Sequence, residues 1–153
     1  MDARGDGQAA MLPSDWLVLL FDGAGEPLDR VRIQKSMFLF AERSKAPAGE
    51  KYEFRPYHYG PFSSEIYRDL DRLVADGRLR LEAGQAGSGS PRYSLTGTGR
   101  RAVEELRPRA VAERLELLAS LRDWVTARSF GALLNDVYRL YPRYAVNSVF
   151  RRS

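Results

Sequence analysis

The chain has 153 residues, of which 44% are hydrophobic and 29% charged. That is the make-up of about one globular domain, and it excludes a wholly disordered or collagen-like polymer. There is no Cys and a single His, His58, which excludes a disulfide framework, a thiolate metal site and a Cys nucleophile and leaves almost no material for a zinc centre or a His-based triad. The formal charge is +4, with 24 basic residues of which only three are Lys, and the excess sits wholly beyond residue 96.

Residues 1–12 read as a frayed polar tail. Ser14 is placed to cap a helix carrying Trp16, Leu17, Leu19, Leu20 and Phe21, which the run from Asp22 to Pro27 breaks. A second helix is expected from about Leu28 to Arg43, with Val31, Ile33, Met37, Phe38, Phe40 and Ala41 on its apolar stripe. Tyr52 and Phe54 alternate around Glu53 like a short strand, and Gly60-Pro61 predicts a turn. A third helix, capped by Ser63 or Ser64 and ending near Asp76-Gly77, buries Ile66, Leu70, Leu73 and Val74. Arg78–Glu82 and Arg92–Thr96 then alternate around a Gly/Ser-rich tip, a hairpin signal. Helices are predicted over Gly97–Leu106, within Ala110–Arg128, and over a last segment holding Phe130, Leu133, Leu134, Val137 and Tyr138. The order is helix, helix, short strand, helix, hairpin, helix. It predicts an α+β fold: a winged helix-turn-helix domain over 13–109, followed over 110–153 by an all-helical extension. The extension is read first as packing on that domain, with a homodimer interface as the alternative.

The longest apolar run, Trp16 to Phe21, is far short of the roughly 20 residues a membrane-spanning helix needs. Met1–Ala10 lacks the apolar segment of a signal peptide. The expectation is a cytoplasmic protein without membrane contact.

Three stretches resemble a known family: RIQKSMFLFAE (Arg32–Glu42), YHYGPFSSEIYRDLDRLVADGRL (Tyr57–Leu79) and RYSLTGTGRRAVEEL (Arg92–Leu106). With the ending VYRLYPRYAVNS (Val137–Ser148), they look like bacterial YwgA-like winged-helix proteins and, more distantly, the Panacea domain of SocA-type antitoxins. The resemblance spans about residues 14–150. It implies a fold rather than a chemistry, and the antitoxin relatives act by binding proteins. No catalytic residue is carried over.

As a winged-helix reader, the third helix would offer Ser63, Ser64, Tyr67, Arg68 and Arg72 to a DNA groove, although Glu65, Asp69, Asp71 and Asp76 share it and oppose phosphate attraction. The wing would place Arg78, Arg80 and Arg92 near phosphates, with Gln85, Ser88 and Ser90 at its tip. Arg30, Arg32 and Lys35 on the second helix are candidates for backbone positioning, alongside Gln34. Gly97-Thr98-Gly99-Arg100-Arg101-Ala102 matches G-x-G-x-x-A but lacks the βαβ setting of a dinucleotide site. It reads better as a helix start where Arg100 and Arg101 could hold a phosphate. His58 is expected to be a packing residue that shapes the entry to the third helix. The leading expectation is a regulator binding double-stranded DNA, without enzyme activity, metal or cofactor. The alternative is a protein-binding module using the same fold, with Tyr57, Tyr59, Tyr67 and the C-terminal aromatics as its anchors.

Overall fold

Trp16, Leu17, Val18, Leu19 and Leu20 are all buried in α1 (Pro13–Leu20). A helix that is apolar all round is a central one, and the rest of the chain is laid around it. The computed structural model describes residues 10–83 and 91–150. Order begins earlier than the frayed tail suggested: Met11 is buried, and Leu12, not Ser14, occupies the N-cap of α1. The Asp15 carboxylate accepts from the Leu12 N–H at 2.8 Å.

Leu28–Asp29 is not the start of the second helix but a short strand, β1. Asp29 then caps α2 (Arg30–Arg43), its carboxylate accepting from the Arg32 N–H at 2.9 Å. Residues 44–63 separate α2 from α3. They hold a two-stranded antiparallel hairpin, β2 (Arg55–Tyr57) with β3 (Gly60–Phe62). The turn falls on His58-Tyr59, not on the expected Gly60-Pro61. Gly60 enters β3 at φ +90, and a Cβ there would lie 2.9 Å from the Tyr138 ring. The position therefore requires glycine for both its dihedral and its clearance.

The helix α3 (Ser64–Ala75) buries Ile66, Leu70 and Leu73, an i, i+4, i+7 stripe. It closes through Arg78 N–H to Leu73 carbonyl at 2.9 Å and Gly77 N–H to Val74 carbonyl at 3.0 Å, a Schellman ending. Next come β4 (Leu79–Glu82) and β5 (Arg92–Leu95). They join β1 in an antiparallel sheet of order β1-β5-β4. The helix α4 (Gly97–Leu106) is capped by Thr96, whose hydroxyl accepts from Gly99 N–H at 3.0 Å. The C-terminal part adds α5 (Ala112–Thr126) and α6 (Phe130–Leu140).

The fold is thus mixed α+β, with six α-helices and a small antiparallel sheet among the described residues. The C-terminal helices do not form a separate core. Leu118, Leu121 and Val125 of α5 and Leu133 and Val137 of α6 belong to one buried cluster with Trp16, Ile33, Phe38 and Ile66. The strongest helix–helix contact in the molecule is α5 against α2. The apolar face of α5 is therefore used within the chain.

Candidate nucleic-acid interface

The expected site residues divide into those held in the interior and those on the surface. Lys35 and Ser63 are corrections: both are 3% exposed, so neither side chain stands out on its helix surface as a groove-reading contact. Lys35 lies on the face of α2 that receives the hairpin. Its Nζ donates to the Pro61 carbonyl at 3.2 Å, and burial pushes its pKa down to about 7. Its neighbour Gln34 is likewise buried rather than presented. Its amide donates to the Ser63 carbonyl at 2.8 Å and accepts from the Ser63 N–H at 2.9 Å. One side chain thereby fixes both polar groups of the residue that begins α3. The spacing of α2 points these residues outward from Ile33 and Met37. The hairpin inserted before α3 covers that second face.

Arg30 and Arg32 also act within the molecule. Arg30 donates to the Tyr93 hydroxyl at 3.1 Å, and its guanidinium lies 5.0 Å from the Tyr67 ring centre. The Tyr93 bond raises its already high pKa. It ties α2 to α3 and the sheet. Arg32 pairs with Asp29 at 2.7 Å and donates to the Arg128 carbonyl at 2.9 Å, joining α2 to the end of α5. Tyr67 is half-buried, edge-on to Phe62 at 5.2 Å, and burial raises its hydroxyl pKa.

The surface set is Ser64, Arg68, Arg72, Arg78, Arg80, Arg92, Arg100 and Arg101, all exposed. Arg72 pairs with Asp69 at 2.8 Å, and the same carboxylate accepts from the Tyr52 hydroxyl at 2.6 Å. One of the acids of this segment is thus absorbed inside the protein, and burial, together with the bond to Asp69, pushes the Tyr52 hydroxyl's pKa far up. Arg101 donates to Thr98 at 3.2 Å. The side chains of Arg68, Arg78, Arg80, Arg92 and Arg100 make no hydrogen bond or ion pair among the described residues.

The sheet register explains why the wing arginines face outward. Leu79, Leu81, Tyr93 and Leu95 share one face, so Arg80 and Arg92 fall on the other. Arg92, on the central strand, stands opposite Glu82 on one side and Asp29 on the other, which moderates its field. Arg92 also lines a cavity of about 320 Å³ with Arg32, Arg122, Glu26 and Asp29. The expected tip contacts Gln85, Ser88 and Ser90 lie outside the described residues.

Gly99 places the α4 arginines. A Cβ there would run into the Arg78 carbonyl and come within 2.8 Å of Leu95 Cδ2. The glycine lets α4 start directly against the end of α3 and the sheet. The G-x-G pattern is thus explained by close packing of backbone on backbone.

One feature escaped the sequence reading, and one expectation is corrected. Arg55 of β2 is exposed over the Tyr57 ring at 5.3 Å and shares a groove of about 340 Å³ with Arg68 and Ser64. Its signal was present, a cation beside aromatics, but only the hairpin brings it to α3. His58 is not packed inside. It is exposed in the β2–β3 turn, stacked on Tyr57 at 4.2 Å, and its carbonyl accepts from Val149 N–H at 2.9 Å. Around that turn Tyr57, Tyr59, Phe130, Val146 and Val149 form an exposed apolar surface.

Neither protein-family models nor curated proteins give any match to the chain. Among the described residues, no group of His, Asp and Glu has the makings of a metal site, and no helix is long and apolar enough to cross a membrane.

Proposed function

We propose that this chain is a winged-helix protein that binds double-stranded DNA, with α3 and the β4–β5 hairpin as its contact elements. The order α1, β1, α2, α3, β4, β5 supports the fold assignment, as does the pairing of β1 with the returning strand β5. The resemblance to YwgA-like winged-helix proteins points the same way. The observation that carries the DNA reading is the set of exposed arginines on α3, the outer sheet face and the first turn of α4. The side chains of Arg68, Arg78, Arg80, Arg92 and Arg100 have no hydrogen-bond or ion-pair partner among the described residues. Several other arginines are committed within the protein: Arg30, Arg32, Arg107, Arg122 and Arg128 are all engaged with other residues of the chain. Uncommitted guanidiniums are what phosphate contact requires.

The test is binding of the whole chain to a labelled random-sequence duplex, read by fluorescence anisotropy against salt. Five arginines meeting five phosphates give a log–log slope of about −4.5, or roughly a five-hundredfold weakening between 50 and 200 mM salt. Absence of binding at 50 mM salt refutes the reading.

A second reading has its own observation. The exposed surface of Tyr57, Tyr59, Phe130, Val146 and Val149 is the kind of patch that anchors a protein partner. A pull-down in which Tyr59→Ser abolishes capture, while duplex binding is absent, selects it.

A further inference from the structure

We propose that the groove between the β2–β3 hairpin and the first turn of α3 seats one phosphodiester of a DNA backbone. The proposal rests on the duplex-binding reading and names one contact within it. The groove encloses about 340 Å³ and is lined by Glu53, Arg55, Ser63, Ser64, Glu65 and Arg68, with Phe54 and Phe62 behind them.

The argument begins with the end of α3. The first backbone N–H groups of a helix have no intrahelical acceptor, and at α3 no side chain caps them. Ser63 stands at the N-cap, the position from which a serine ordinarily closes its own helix. It does not do so. Gln34 grips its N–H and its carbonyl from inside the protein. The Ser63 hydroxyl is left buried and without a partner among the described residues, in the wall of the same groove. Buried hydroxyls ordinarily find a partner. This one lies beside the first amide donors of α3, which no side chain caps. An anionic oxygen entering the groove meets that need.

Two cations complete the seat. Arg68 lies one turn into α3 and has no partner among the described residues. Arg55 comes from the hairpin, braced over Tyr57. The long connection between α2 and α3 thus supplies a guanidinium that a tight helix-turn-helix turn could not. Glu53 and Glu65 set the charge of the ligand. They offset the two guanidiniums and leave the helix end, worth about half a positive charge, as the net field. Such a seat takes a singly charged phosphodiester, held by donors, in preference to a doubly charged phosphomonoester.

The experiment uses the whole chain, a labelled random-sequence duplex and a salt titration of the wild type, Arg55→Ala, Glu65→Gln and Arg92→Ala. Loss of one phosphate contact lowers the salt slope by about 0.9. Arg55→Ala is expected to show that drop and to weaken binding about fivefold at 0.1 M salt. Glu65→Gln is expected to tighten binding by a similar factor, a gain that damage to the fold would not produce. Inorganic phosphate at constant ionic strength is expected not to displace the duplex. If Arg92→Ala weakens binding while Arg55→Ala and Glu65→Gln change nothing, the seat is overturned and the duplex reading stands. Displacement by millimolar phosphate overturns the preference for a diester. Failure of the wild type to bind at low salt overturns both.

Discussion

Lys35 offers the sharpest test of the packing described above. It is 3% exposed, and its ammonium has a single protein acceptor, the Pro61 carbonyl at 3.2 Å. Burial pushes its pKa from 10.5 to about 7. Below pH 7 the group is protonated whether the chain is folded or not, so the folded state carries the whole cost of the buried charge. Between pH 7 and 10.5 the unfolded chain binds a proton that the folded protein does not, and stability rises with pH. Above 10.5 the cost is gone. At 1.36 kcal/mol per pH unit that cost is about 5 kcal/mol. Lys35→Met keeps the stem and removes the titrating group. The lost bond to Pro61 returns about 1–2 kcal/mol, so the variant should be about 3 kcal/mol more stable at pH 6. Urea unfolding of both proteins from pH 6 to 9.5 measures this. The wild type should gain on the variant by about 1.4 kcal/mol per pH unit above pH 7.5. Two parallel profiles would mean the ammonium is as well matched inside as in water, and the reasoning fails.

Other substitutions probe the remaining joints. Gly99→Ala should cost about 3 kcal/mol or more, because the new methyl group meets the Arg78 carbonyl and the backbone must move apart; thermal unfolding reads this directly. Gln34→Ala removes both bonds to Ser63 and should cost about 2–3 kcal/mol, with faster hydrogen exchange confined to the first turn of α3. Arg122→Ala and Arg92→Ala should separate stability from binding. Arg122 is buried and donates to the Leu20 and Asp22 carbonyls, so its loss should lower stability by about 2–4 kcal/mol. Loss of the exposed Arg92 should leave stability within about 0.5 kcal/mol and reduce the salt slope of duplex binding.

Periodicity carried the reading furthest where an element faces the core along one stripe. The α3 pattern of Ile66, Leu70 and Leu73 and the alternation in β4 and β5 were legible because each spacing has one structural meaning. Polar residues failed the same test. Gln34 and Lys35 lie off the apolar stripe of α2, so a single helix predicts them in solvent. A second layer, the β2–β3 hairpin, covers them. Arg122 shows the same limit. Its sequence neighbours mark a surface cation, yet it is drawn inward by carbonyl groups at the end of α1, a hundred residues away in the chain. The short strand β1 was hidden because two residues have no period. The site suffered most from this, since Arg55 reaches α3 only through the tertiary fold.

The lodging of α5 on α2 has a consequence for how the molecule could be cut. Ile33, Met37, Phe38 and Phe40 of α2 lie in the same buried cluster as Leu118, Leu121 and Val125 of α5. A fragment ending near residue 109 would uncover that side of α2 and present it to water. The segment carrying the proposed DNA contacts is therefore not a detachable cassette. Grafting it onto another protein, or dissecting it by limited proteolysis, would require carrying the C-terminal helices along as part of its wall.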